Sequence, residues 1–193
     1  MACSKRSHDP RGGARAWWRR AFASCAILVL AACAPLAHQS PGTLEVRNAQ
    51  LVVQDGMARL ELALDCKLSG PMQDALDHGI PLALVVDVRG ADGLRTAARI
   101  ELRYFPLSRR YQLAVNGRDD ERGFATRGYL LAALGSLRIG LPDAFAHLPA
   151  AAPLRVSAAL DPSGLPGALR LPALFEPAWR LSSAETTWSP ATH

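Results

Sequence analysis

The chain lacks the local signatures of catalysis. It has no Gly-x-Ser-x-Gly elbow, no His-Glu-x-x-His, no cysteine pair at metal-ligand spacing and no glycine-rich phosphate loop. No cofactor and no metal are therefore expected, and a hydrolytic site would have to be assembled by folding alone. Cysteine is scarce in the body of the chain: Cys3, Cys25 and Cys33 lie in its first 33 residues, and only Cys66 follows. A disulfide within the body is excluded, so its stability must come from packing. An excess of one charge is missing there too. The full 193 residues carry 22 basic and 17 acidic side chains, but residues 1–32 hold six of the basic ones (Lys5, Arg6, Arg11, Arg15, Arg19, Arg20) and one acid, Asp9, which leaves 16 of each. A formally neutral body argues against nucleic acid as a partner.

The apolar run Ala21–Cys33 is too short to span a bilayer comfortably. Arg15, Arg19 and Arg20 precede it and Trp17 and Trp18 stand at its edge, the charged and apolar regions of a secretory signal. It ends in Leu30, Ala31, Ala32, Cys33, which resembles the lipobox of bacterial lipoproteins. Lipoprotein processing transfers a diacylglycerol to a cysteine thiol and then cuts before it, so small residues must flank the scissile bond and a thiol must follow. The expectation is a signal peptide over 1–32, lipidation of Cys33, a flexible tether over 33–42 and a single domain over 43–190. Small, polar and proline-bearing residues suit the tether, with His38 solvated there. The membrane is then a partner through the lipid anchor, and the domain faces the periplasm. Ala34 is not the aspartate that retains lipoproteins at the inner membrane, which favours the outer one. An ordinary cleaved signal or signal anchor, with Cys33 incidental, is the competing reading. Arg19, Arg20 and Phe22 match a twin-arginine signal only in part.

Thr43–Val53 alternates apolar and polar residues, Asp55 and Gly56 make a turn, and Met57–Leu68 alternates again with Cys66 on the apolar side. Cys66 is thus expected to be buried and idle. Ser69–His78 reads as a short helix with Pro71 in its first turn and Gly79 at its end, and Ile80–Val88 as a strand covered on both faces at the centre of a sheet. Further strands fall at Ala97–Leu107, Arg110–Val115, Gly123–Ala125, Leu154–Leu160 and Ala178–Trp188, the last with Trp179 and Trp188 packed on the sheet. Thr126 caps a second helix, Arg127–Arg138, whose Leu130, Leu134 and Leu137 form the apolar face with Tyr129 and Ala133 beside them; Arg127 is placed at its solvent-facing start. Asp161–Pro172 reads as turns.

Three constellations could carry chemistry. Asp74, Asp77 and His78 share a helix end, but a lone histidine there serves better as a cap than as a metal ligand. Asp119, Asp120 and Glu121 are adjacent acids without calcium-loop spacing, flanked by Arg118 and Arg122, and read as a solvated hairpin tip. His78, His147, Asp87 and Ser108 are the residues a folded hydrolytic site could bring together.

The step Gly79-Ile80-Pro81-Leu82 into an apolar strand, Arg109-Arg110-Tyr111-Gln112-Leu113, the leucine-bearing Phe124–Arg138 segment and the closing Phe175–Trp188 segment together resemble the uncharacterised envelope family called domain of unknown function 4390, over Leu44–Trp188. The resemblance implies a Gram-negative envelope domain, assigns no catalytic residues, and hints at a signalling accessory beside a membrane sensor kinase. The short polar Arg89–Arg95 connection departs from the aromatic-rich segment expected of relatives. The expected fold is mostly β, α+β at the margin: an antiparallel β-sandwich or strongly curved sheet of about seven or eight strands, with one main helix and one short helix packed on it. The expected function is a non-enzymatic binding or accessory domain that meets an envelope protein partner through a sheet edge or apolar groove, with a small periplasmic hydrolase as the alternative.

Overall fold

Period-two alternation builds the first hairpin. In the computed structural model, which describes residues 40–119, 123–149 and 152–188, β1 (Thr43–Gln54) and β2 (Met57–Lys67) pair antiparallel from Thr43 opposite Lys67 to Gln54 opposite Met57. Asp55 and Gly56 take φ of 53° and 74°, the left-handed pair that joins two strands without splaying them. Ala58, Leu60, Leu62, Leu64 and Cys66 share one face of β2 and all are buried. The register slips between Val46 and Asn48, a bulge in β1. On its other side β2 pairs with β7 (Leu137–Gly140), giving a three-stranded sheet of order β1-β2-β7.

A second, six-stranded antiparallel sheet has β3 (Leu82–Arg89) inside it, between β4 (Arg95–Phe105) and β8 (Leu154–Leu160). β5 (Arg110–Val115), β6 (Arg118–Asp119) and β9 (Thr186–Trp188) complete the order β6-β5-β4-β3-β8-β9. β3 is central, but its second face is covered only at the start: Ala83 is buried, Val85 half-buried, and Asp87 and Arg89 exposed. The cover is the turn Pro162–Gly164, tied down by an ion pair between Arg99 and Asp161. A Cβ at Gly164 would stand 2.6 Å from Arg99 Nη2, so a larger residue there would have to displace the guanidinium that pairs with Asp161. Arg99 also donates to Glu101 at 2.9 Å. Together with Arg103 it holds the Glu101 carboxyl below its ordinary range.

Leu60, Leu62, Leu64 and Ile139 from the small sheet join Leu84, Val86, Val88, Ile100, Leu102 and Val156 from the large one in a single apolar core. The fold is mostly β, as the alternation implied; the described residues form two antiparallel sheets and three α-helices, one helix more than expected. Helix α1 (Gly70–Asp77) buries Met72, Ala75 and Leu76, takes its cap from Ser69 Oγ, and ends before Gly79, whose φ is 82°.

The second half departs from expectation in four places. Helix α2 (Arg127–Ala133) stops short of Arg138: Leu134–Ser136 tightens into a 3₁₀ turn and the next residues enter β7. The leucine spacing suits a helix, but Gly135 weakens it, and Leu137 and Ile139 alternate with Arg138 and Gly140 as a strand on the open side of β2 requires. Secondly, Gly167–Phe175 is helix α3, although Pro166, Gly167 and Pro172 read as turn residues; Pro172 lies inside it and forfeits one intrahelical bond. Thirdly, the closing strand shrinks to β9, because Pro177–Trp179 is a 3₁₀ turn and Ser182 makes only an isolated bridge to Ala159. Trp179 is nevertheless buried. The strand expected at Gly123–Ala125 is likewise a single bridge, Phe124 to Tyr111.

The expected signal peptide over 1–32, Cys33 and His38 lie outside the described residues. Among the described residues no helix is long and apolar enough to cross a membrane.

Candidate functional site

A depression of about 900 Å³ lies where the edges of the two sheets meet. Edge strand β7 contributes Leu137, Arg138 and Gly140, the turn before it Gly135 and Ser136, and the hairpin β5–β6 Val115, Asn116 and Arg118. Asn48, beside the bulge of β1, and Glu61 and Ala63 of β2 complete the wall. Each is placed by local chemistry. Asn116 and Gly117, with φ of 51° and 76°, form the tight turn that sets Arg118 opposite Val115. Asn116 is already committed, since its Oδ1 accepts from the Arg99 backbone N–H at 2.9 Å. Arg138 stands opposite Glu61, yet their closest atoms are 3.7 Å apart with 80% of the Arg138 side chain exposed, a loose pair of little energetic weight. Among the described residues the cleft offers two arginines against one carboxylate over an apolar floor that includes Leu62 and Leu113. Its described lining contains no histidine, cysteine or aspartate.

A second cluster is structural. Tyr111 OH donates to Asp77 Oδ1 at 2.8 Å, Arg127 Nη1 reaches Asp77 Oδ2, and Arg127 Nη2 donates to Gln73 Oε1 at 2.8 Å. The set ties α1, β5 and α2 together. Arg127 is therefore not the free, solvent-facing residue its position at the helix start implies. Burial, with the Asp77 hydrogen bond, pushes the Tyr111 phenol up to about 12, so it acts as a donor and not as a base.

The structure does not gather the four residues singled out for hydrolysis. His78 sits at the C-cap of α1, its Nδ1 2.6 Å from the Asp74 carbonyl oxygen. His147 is exposed at the end of the turn Asp143–His147, Asp87 is exposed between Ala97 and Ser157, and Ser108 Oγ donates to the Phe105 carbonyl at 3.4 Å. No hydrogen bond or ion pair joins any two of the four, and none lines the cleft. Asp74, Asp77 and His78 do not converge either; among the described residues no three metal-ligating side chains do. Of the acidic loop, Asp120 and Glu121 lie outside the described residues. Cys66 is 8% exposed, and burial, with Asp65 adding to it, pushes its thiol up to about 12, which leaves no thiolate at neutral pH. The cleft residues Asn48, Arg118 and Arg138 carry no local motif, and only the meeting of two sheet edges distant in sequence brings them together.

The segments whose order suggested a family sit at constrained points of this fold. Gly79 has φ of 82° and packs against Pro106, Arg109 has φ of 52° at the turn into β5, and Tyr111 anchors the Asp77 cluster. In the Arg89–Arg95 connection Gly90 lies under Leu148, whose Cδ1 would be 2.9 Å from an added Cβ. No curated protein and no solved structure matches the chain. Residues 42–189, however, match the family described as "Domain of unknown function (DUF4390)", and the chain belongs to that family.

Proposed function

We propose that this is a lipoprotein of the cell envelope, anchored through Cys33 and facing the periplasm, with the outer membrane favoured, and that its domain is a non-enzymatic accessory that binds another envelope protein in the cleft beside β7. The observation that carries the binding role is the cleft itself, bordered by a four-residue strand at the edge of its sheet. An edge strand leaves a row of backbone donors and acceptors without strand partners, and an extended segment of another protein can add to it. Arg118 and Arg138 on the walls favour a segment bearing acidic side chains. Envelope signalling is the process that the family resemblance suggests for such an accessory.

A photo-crosslinking amino acid placed at Arg138 in living cells is expected to give a discrete protein adduct, and the same probe at Gln54, exposed at the far end of the first hairpin, to give none. Equal yields at the two positions, or no adduct at Arg138, would remove the cleft from the account.

A further inference from the structure

Helix α3 is apolar on both sides. Of its nine residues, GALRLPALF, only Arg170 is charged. Leu169 and Ala173 turn inward to the core, Ala173 being 6% exposed. Leu171, Leu174 and Phe175, at i, i+3 and i+4, share the outward side and are 66%, 57% and 74% exposed. A helix apolar all round is normally buried, and three large side chains left together in water mark a contact surface.

The start of the described chain says what covers it. Gly42 is wedged in place: an added Cβ would stand 2.8 Å from the Lys67 carbonyl oxygen and 2.9 Å from Leu181 Cδ1. The chain therefore leaves the fold beside Leu181, six residues after Phe175 and at most about 20 Å from it. Back from Gly42 to Cys33 there are nine peptide links, which reach about 30 Å at full extension. A lipid on Cys33 would keep this end of the domain next to the bilayer. The other end of the hairpin, at Gln54, is eleven residues up β1, about 35 Å away. Lys67 beside the exit point, Arg170 of α3 and Arg180 next to Leu181 are exposed, against Glu176; the exposed acids Glu45 and Asp65, two residues further along the first hairpin, are both paired with Arg47, which leaves cations available to anionic headgroups.

We infer that the outward face of α3 lies in the headgroup region of the membrane, with Leu171, Leu174 and Phe175 inserted among the lipids as a second point of attachment. The inference rests on the proposed lipid anchor. The diacylglycerol on Cys33 brings two acyl chains and holds the protein to the membrane by itself; what a shallow apolar contact adds is a fixed direction in which the domain faces. The cleft beside β7 would then be presented in a set orientation instead of tumbling on its tether.

The test uses the full processed protein, reconstituted into vesicles of phosphatidylethanolamine and phosphatidylglycerol. An environment-sensitive fluorophore is attached through Leu174→Cys, through Phe175→Cys and, as the remote site, through Gln54→Cys. All three positions are exposed, so the fold should tolerate them, and Cys66 is buried. Unsubstituted protein treated in parallel gives the background. The expected result is a several-fold brighter, blue-shifted signal at 174 and 175 that is quenched by lipids carrying a headgroup-depth quencher, with an aqueous signal at 54. An aqueous signal at 174 and 175 would overturn the inference. So would a blue shift that lipid-borne quenchers do not touch, because a second copy or another protein would then cover the helix. Fatty-acid incorporation at Cys33, measured on the same preparation, separates the two readings: lipid present with an aqueous probe rejects the helix contact alone, whereas lipid absent rejects the anchor whatever the probe reports.

Discussion

Truncating Leu134 to alanine should cost about 2 to 5 kcal/mol, the range for a fully buried leucine. Leu134 and Leu130 have no exposed surface, and the turn that begins at Leu134 lies against β2 just before β7 joins it. That one side chain thus holds the helix down and fixes the start of an edge strand. A loss of this size is a large share of the about 5 to 15 kcal/mol that stabilises a typical domain. Tyr129 is the appropriate control, since it belongs to the same helix and is 67% exposed; Tyr129→Ala should change stability by about 0.5 kcal/mol or less. Arg127 is a poor control, because its loss would strip Asp77 of its cation. Urea unfolding of residues 42–193 measures all of these. If Leu134→Ala were as harmless as Tyr129→Ala, the junction of α2 and β7 would not seal the core.

Alkaline pH should destabilise the domain through Cys66. Burial first, and Asp65 second, raise its thiol from an ordinary value of 9.0 to about 12. The native state therefore holds that proton more tightly than the unfolded chain does. Its contribution to stability is complete below the unfolded value and is lost as pH rises from 9.0 through about 12. Three pKa units correspond to roughly 4 kcal/mol, an upper bound because the folded state can relax around the charge. Tyr111 moves in the same direction, from 10.0 to about 12, so it shares the upper part of the window. Cys66→Ala isolates the thiol: urea midpoints followed from neutral pH upward should fall more steeply in the parent than in the variant, beginning near pH 9. Parallel profiles would mean that the thiol ionises in the folded state at little cost.

The parts of the fold that could be read in advance are those where one physical rule acts alone. β2 alternates without interruption over Ala58–Cys66, and α1 has a capping serine, an early proline and a closing glycine, so both follow from local sequence. Position 134 onward could not be read that way, because a leucine ladder and a strand alternation overlap there, and the open side of β2 decides between them. Helix α3 was hidden by two prolines and a glycine that mark turns in isolation. The cleft was less legible still: Asn48, Arg118 and Arg138 are ordinary surface residues until the edges of two sheets meet. The proposed anchor is the opposite case, since the resemblance that suggests it is carried entirely by contiguous residues, Leu30 to Cys33.

The proposed signal would decide where every other surface works, and it can be tested directly. Cells producing the full chain are fed a clickable fatty acid, and the wild type is compared with Cys33→Ala. The account predicts that the wild type incorporates label and the variant loses it, because the thiol at Cys33 is the sole acceptor of the lipid. Equal labelling of the two proteins, or none in the wild type, would contradict it.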